Sequence, residues 1–342
     1  MITRKIAIVG AGSCGTSLAL ALSLSPRPHR ISLWVHGSDV LDALRKSREN
    51  SIYLPGFQIP EQIEITSHLS YAIADAGIIV GAMPSAHARS VFSALKPHLP
   101  ATPPGKPGPI FVSATKGLEH DSLARMSQVI AQTIGEAIAP RIAVLSGPSF
   151  ARELAHGDPT AVVIASEDPA AAAEVQDEFS GPTLRLYTNP DVVGVEICGA
   201  AKNVIAIAAG VCAGLGLGGN TSAALITRGL AEMARLSVAA GGRRDTPSGL
   251  AGLGDLILTA TGSLSRNRTV GVELGKGRRL EEILAGMRMV AEGVGTTAAI
   301  LALARRHGVE TPIAEQVHAV LHEGKSPRQA IRELMDRPLK QE

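Results

Sequence analysis

Residues Lys5 to Leu24, KIAIVGAGSCGTSLALALSL, set the architecture of the first half of the chain. Lys5 to Val9 is a short apolar run that reads as a strand, Gly10-Ala-Gly12-Ser-Cys-Gly15 as a turn, and Thr16 to Leu24 as a helix. Gly10 permits the tight reversal, Gly12 lets a pyrophosphate approach the backbone, and Gly15 lets helix and strand pack closely, with the helix N-terminus facing the anion. The glycine spacing alone is weak. Directly after a strand at the head of the chain, it points to a dinucleotide-binding unit of the Rossmann type, the alternative being a glycine turn that holds no ligand.

Working outward, Arg30 to Val35, Gln62 to Thr66, Gly77 to Ala82, Pro109 to Thr115, Arg141 to Leu145, Thr160 to Ser166 and Leu184 to Thr188 read as the remaining strands of a doubly wound sheet. Ser67 to Ala76 reads as a helix. The second strand ends at His36, where enzymes that prefer NAD commonly carry an acid. Asp39 follows and is expected to cap the next helix after Ser38. Without that acid a 2′-phosphate is not repelled and His36 can donate to it, so NADP(H) is expected to be accepted alongside NAD(H); a surface-loop histidine is the other reading. Met83-Pro84-Ser85 turns strand into helix. Pro97 to Pro109 carries too many breakers to be an element. Lys116 closes the Pro109 strand on the sheet edge where ligands bind, although an ordinary surface lysine fits the same place. The turn Ser146-Gly147-Pro148-Ser149 before Phe150-Ala151 offers open backbone N–H groups.

Beyond Asn189-Pro190-Asp191 the two-residue alternation stops and helical spacing takes over: Ile226, Leu230 and Met233, then Ile313, Val317, Val320 and Leu321. The expectation is an α/β domain over residues 1–189 and an all-α domain over 190–342. The first helix of the second half contains ICGAAKNVIAIAAG, in which Lys202 is the one charged side chain. Burial disfavours an ammonium ion and should pull its pKa toward neutrality, which suits proton transfer. A lysine whose stem packs while its head reaches water is the rival reading. The run continues to Thr227 but is interrupted by glycines, so no membrane span is expected. Asp255, inside the apolar LAGLGDLIL, needs a cationic partner, and Lys202 is the candidate. Ser263-Leu-Ser265-Arg266-Asn267-Arg268 gathers hydroxyl, guanidinium and amide donors ahead of the helical stretch Val270 to Leu274. That composition suits a phosphate or carboxylate; a capped helix with solvated arginines would look the same.

The bulk numbers agree with a globular chain. Its 342 residues suit two domains, with 45% hydrophobic and 19% charged residues. A net charge of +2 and 3% aromatic residues give no nucleic-acid signal. Cys14, Cys198 and Cys212 are odd in number and lack metal-ligand spacing, so no metal site is expected. No signal segment precedes the first strand, and a cytoplasmic location is the expectation.

Taken together, GAGSCGTSLA, MPS, SATKGLE, SGPSFARE, GAAKNVIAIAAG, ITRGLAEM, AGLGDLILT, SRNR and VAEG resemble, in that order and nearly end to end, the bacterial NAD(P)-dependent glycerol-3-phosphate dehydrogenase family. The resemblance implies a general base at Lys202, with Lys116 and Asp255 in the catalytic group. It implies substrate contacts at Lys116, Gly147, Ser149, Lys202, Asp255, Ser265, Arg266 and Asn267. Cofactor contacts fall on Ser13, Cys14, His36, Lys116, Ala151, Arg266, Val290 and Glu292, beside the turn glycines Gly10, Gly12 and Gly15. Many relatives carry an aromatic residue where this chain has Cys14. The implied reaction joins dihydroxyacetone phosphate and sn-glycerol 3-phosphate by hydride transfer, supplying phospholipid synthesis; a homodimer is compatible with the apolar helical half. A small-keto-acid reductase and a non-catalytic NAD(P)H sensor are the rivals. The first has less use for the SRNR donors, the second none for Lys116, Lys202 and Asp255.

Overall fold

A computed structural model describes residues 3–99, 107–135, 141–339 and 341. Most of the Pro97–Pro109 stretch lies outside them. The described chain groups into two units, one of residues up to Lys116 with Ala124–Val192, the other of Gly117–Leu123 with Val193 onward. The second junction lies between Val192 and Val193. The short excursion of Gly117–Leu123 into the second unit is not part of a division into continuous halves.

The first unit contains β1 (Arg4–Val9), α1 (Ser13–Ser23), β2 (His29–Trp34), α2 (Ser38–Ser47), β3 (Ile63–Thr66), α3 (Leu69–Ile73), β4 (Ala76–Gly81) and α4 (Ser85–Leu95). It continues with β5 (Ile110–Ser113), α5 (Met126–Ile134), β6 (Ile142–Ser146), α6 (Ala151–His156), β7 (Thr160–Ala165), α7 (Pro169–Phe179) and β8 (Leu184–Asn189). The strands form one sheet in the order β3-β2-β1-β4-β5-β6-β7-β8. Alternation along β1 sends Ile6 and Ile8 to one core, with Leu18, Leu22 and Leu33. Ala7 and Val9 go to the other, with Phe92, Phe111 and Ile130. Apolar residues on both faces are what a parallel sheet covered by helices requires. The strand order reverses between β1 and β4, so the carboxyl ends of these strands flank a switch point of the kind at which ligands bind.

Two details differ from the sequence reading. All neighbouring strands pair in parallel except β6 and β7, which are antiparallel. The six residues of α6 span roughly 9 Å, too short to carry the chain back along a strand, so β7 returns in the opposite sense. Asp39 does not cap α2. The cap position is Gly37, and Asp39 stands in the first turn, where its charge favours the helix N-terminus.

The second unit contains α8 (Val192–Gly214), α9 (Gly219–Ala239), α10 (Asp255–Thr261), α11 (Arg266–Gly275), α12 (Leu280–Ala285), α13 (Glu292–Arg306), α14 (Pro312–His322) and α15 (Pro327–Met335). The glycines of α8 do not interrupt it, which corrects the sequence expectation. By length and composition this helix could cross a membrane, yet 94% of its most apolar window is buried inside the protein. It is the core helix of its unit. Ile197, Val204 and Ile205 pack there with Met233, Leu256, Val270, Ile300 and Val317, and Leu118 of the excursion joins them.

Candidate active site

The turn after β1 has the shape its glycines require. Gly10 has φ 120°, and a side-chain carbon there would lie 2.6 Å from the Ala82 carbonyl oxygen. One on Gly15 would lie 1.9 Å from the Gly10 oxygen, so both positions admit only glycine. Around Gly12 no atom lies within 4 Å of such a carbon, leaving the opening that a pyrophosphate needs. No side chain caps α1, and Ser13 and the exposed Cys14 occupy its first turn. This cradle fits a dinucleotide. Asn50, which sequence reasoning missed, is wholly buried and braces it, donating to the Ala11 carbonyl at 2.8 Å and the Thr16 hydroxyl at 2.9 Å. Nothing local ties Asn50 to the cradle, because the two groups it donates to lie far back in the chain.

At the ends of β5 and β6, Thr115 donates to the Met83 carbonyl at 2.7 Å, tying the two corners together. Lys116 Nζ donates to the Gly147 carbonyl at 2.8 Å and reaches Ser149 Oγ at 3.5 Å. Ser149 Oγ in turn donates to the same carbonyl at 3.0 Å. Gly147 has φ 127°, which turns the chain there, and Ala151 opens α6. Lys116, Gly147 and Ser149 are therefore brought together, within the first unit, on the sheet edge expected for a ligand. His36 is exposed just past β2, its ring 5.5 Å from that of Trp34.

In the second unit, Lys202 Nζ donates to Asp255 Oδ1 at 3.0 Å and to Thr259 Oγ1 at 2.7 Å. The three residues are 5%, 1% and 3% exposed, so the pair is withdrawn from water. Thr259 donates its own hydrogen to the Asp255 carbonyl at 2.6 Å, which leaves its oxygen as the acceptor for Lys202. The lysine charge is thus not isolated in its helix. Burial disfavours it, and the facing carboxylate offsets that cost. Asp255 reaches this place from a π-helical turn, Leu250–Gly254, in which Gly252 packs against the Pro247 carbonyl. Such turns re-aim a helix and recur at functional sites.

Beside Lys202, Asn203 Oδ1 accepts from Asn267 Nδ2 at 2.8 Å, and Asn267 Oδ1 accepts from the Gly293 amide at 2.9 Å. One buried carboxamide therefore links α8, α11 and α13. Ser265 caps α11, accepting from the Arg268 amide at 3.2 Å. Its hydroxyl oxygen serves the helix, as the plainer sequence reading allowed. Arg266 is the half-buried first residue of α11, and Glu292 opens α13. Val290 is 53% exposed. Sequence reasoning missed Asn203 and Thr259. The latter had a signal, since it follows Asp255 by one helical turn and shares its face.

Known proteins share this chain's sequence over most of its length. Residues 5–172 match the family profile described as the NAD-dependent glycerol-3-phosphate dehydrogenase N-terminus, and residues 191–332 match its C-terminus. A glycerol-3-phosphate dehydrogenase [NAD(P)+] of Koribacter versatilis is 54% identical, over 98% of this chain and 97% of that protein. One from Geobacter sulfurreducens is 50% identical, over 100% and 99%. The crystal structure of glycerol-3-phosphate dehydrogenase from Coxiella burnetii superimposes with a TM-score of 0.91 at 39% identity, covering 98% of this chain and 99% of that one.

Proposed function

The chain belongs to the NAD-dependent glycerol-3-phosphate dehydrogenase family and is an NAD(P)-dependent enzyme of that activity; from that premise we propose that Lys202 is the acid–base group through which it interconverts dihydroxyacetone phosphate and sn-glycerol 3-phosphate. The observation that carries this reading is the buried contact of Lys202 with Asp255 and Thr259. The bound nicotinamide cofactor supplies or accepts the hydride at substrate C2. Lys202 gives a proton to the C2 oxygen during reduction and takes it back during oxidation. Its ammonium form also stabilises the negative charge that gathers on that oxygen. Asp255 and Thr259 fix the direction of two of its N–H bonds, so little reorientation remains for the reactive step.

Lys116, held by Gly147 and Ser149, supplies a cation at the ligand-binding sheet edge of the first unit. Arg266 at the start of α11 takes the phosphate, where guanidinium and helix terminus both favour an anion. Asn267 commits its oxygen and one amide hydrogen to α13 and α8, leaving its other amide hydrogen to donate to the substrate. Binding energy from the non-reacting phosphate then positions C2 for transfer. The same reading makes the product the glycerol phosphate of membrane phospholipids and places the reaction in the cytoplasm.

The test is NADH oxidation with and without dihydroxyacetone phosphate, in the wild type and in Lys202→Ala. The variant should lose about 10²–10⁴-fold in kcat, the range for a positioned acid–base group, while still binding NADH. Retention of wild-type turnover would remove the lysine from the mechanism. Because the variant leaves Asp255 buried without its partner, circular dichroism and NADH affinity report whether it is folded.

A further inference from the structure

We propose that His68, together with His36, forms the seat for the 2′-phosphate of NADP(H), making His68 a specificity-determining residue for the cofactor. The proposal rests on the dinucleotide reading of the first unit. It is carried by the register of two neighbouring strands. Trp34 of β2 pairs with Thr66 of β3, and the Val35 amide donates to the Thr66 carbonyl at 2.9 Å. His36 and His68 each stand two residues past that matched pair, so they leave the carboxyl ends of adjoining parallel strands side by side. Both are exposed.

Trp34 fixes the two ends relative to each other. Its ring lies 5.5 Å from that of His36, and its Nε1 donates to the Ser67 carbonyl at 3.0 Å. The His68 amide donates to Thr66 Oγ1 at 3.1 Å, which sets the turn on which the imidazole stands. The end of the second strand is where a dinucleotide fold meets the adenosine ribose. A carboxylate there accepts from a 2′-hydroxyl and repels a 2′-phosphate. Neither strand end carries one. The first acid beyond them, Asp39, is folded back on its own turn, with Oδ1 2.8 Å from the point a Gly37 side-chain carbon would occupy.

A phosphate dianion needs several donors, and one imidazole gives it a single N–H on the near side. Two imidazoles on strands roughly 4.8 Å apart can address different oxygens of one phosphate. A 2′-hydroxyl needs neither. His68 therefore contributes to NADP(H) affinity and little to NAD(H) affinity.

Adenosine 2′,5′-bisphosphate and 5′-AMP differ only in the group at issue and serve as probes. Trp34 is the chain's one tryptophan, so its emission reports binding at this place, with calorimetry as a second readout. His68→Ala should weaken the bisphosphate about fivefold or more and change 5′-AMP by less than about twofold. His68→Asp should lose still more of the bisphosphate through repulsion and keep 5′-AMP. An unchanged bisphosphate affinity in both variants overturns the proposal, and so does an equal loss of both ligands, which marks a structural residue. Neither probe contains nicotinamide and no turnover is read. A wild-type chain that does not oxidise NADH with dihydroxyacetone phosphate would thus defeat the dehydrogenase mechanism while these titrations still decide the role of His68.

Discussion

Thr259 shows how one hydroxyl can set the behaviour of a buried charge. Its hydrogen is committed to the Asp255 carbonyl, so only its oxygen faces Lys202. Thr259→Val keeps the shape and removes that acceptor, leaving the ammonium with Asp255 and a wider range of orientations. A hydrogen bond to a charged group contributes on the order of 1.5–3 kcal/mol. If the contact is fully used in the transition state, kcat should fall roughly 10- to 100-fold. Affinity for NADH should not change, and Thr259→Ser should retain activity because the hydroxyl returns. Steady-state kinetics of the three proteins check this; a fully active valine variant would show that Asp255 alone orients the lysine. The Lys202–Asp255 partnership was legible in the sequence, since a carboxylate inside LAGLGDLIL and a lysine inside GAAKNVIAIAAG each need an opposite charge. The carboxamide of Asn267 was not. Its residue type suits a ligand donor and a buried bridge equally, and only the positions of Asn203 and Gly293 show that its oxygen and one amide hydrogen are committed to the bridge.

At the scale of elements, the placing of the SRNR turn depends on how closely α11 crosses α8. Gly210 and Gly214 on one helix meet Gly271 and Gly275 on the other. Side-chain carbons at Gly210 and Gly271 would lie 2.1 Å from the Arg268 carbonyl oxygen and 2.0 Å from that of Ile207. These are backbone atoms, so neither helix can yield without moving as a whole. Gly271→Ala gains about 1 kcal/mol of helix propensity, and overpacking costs about 1–3 kcal/mol. Net destabilisation is expected, with α11 pushed outward and the Michaelis constant for dihydroxyacetone phosphate raised more than that for NADH. Urea unfolding and kinetics measure the two effects; a variant as stable as wild type with unchanged constants would show that the crossing can relax. Read one-dimensionally, the glycines of α8 suggested interruption of its apolar run. A glycine that breaks an element and one that admits a neighbouring backbone are the same letter, and the partner helix is remote in sequence. The antiparallel return of β7 was hidden for a similar reason. Its apolar run is the same in either direction, and only the short reach of α6 decides between them.

At the scale of the whole molecule, chain length and the change from two-residue to helical periodicity led to an expectation of two domains. The sequence did not reveal that Gly117–Leu123 groups with the helical one, since only two apolar side chains, the fully buried Leu118 and the partly buried Leu123, tie that segment to its core. Long-range fastening within the helical unit also depends on a group that looks like a surface residue in the sequence. Glu232 of α9 is 4% exposed and accepts from the amides of Ile313 at 2.8 Å and Ala314 at 3.4 Å, at the start of α14. Burial pushes its carboxyl up from 4.5 to about 7, against the lowering effect of those two amides and of Arg235, with Glu315 adding to the rise. The folded protein therefore holds a proton on Glu232 in the window between 4.5 and about 7, where the unfolded chain has released it. Stability from this group is fully present below the unfolded value and is lost as pH rises through the folded one. The shift corresponds to about 3 kcal/mol across the window. Glu232→Gln cannot titrate, so unfolding free energies of variant and wild type, compared from about pH 4.5 to about pH 8, should diverge by that order. The wild type should lose ground as pH rises. Parallel pH profiles for the two proteins would show that Glu232 is ionised throughout and that the α14 amides hold it as a carboxylate.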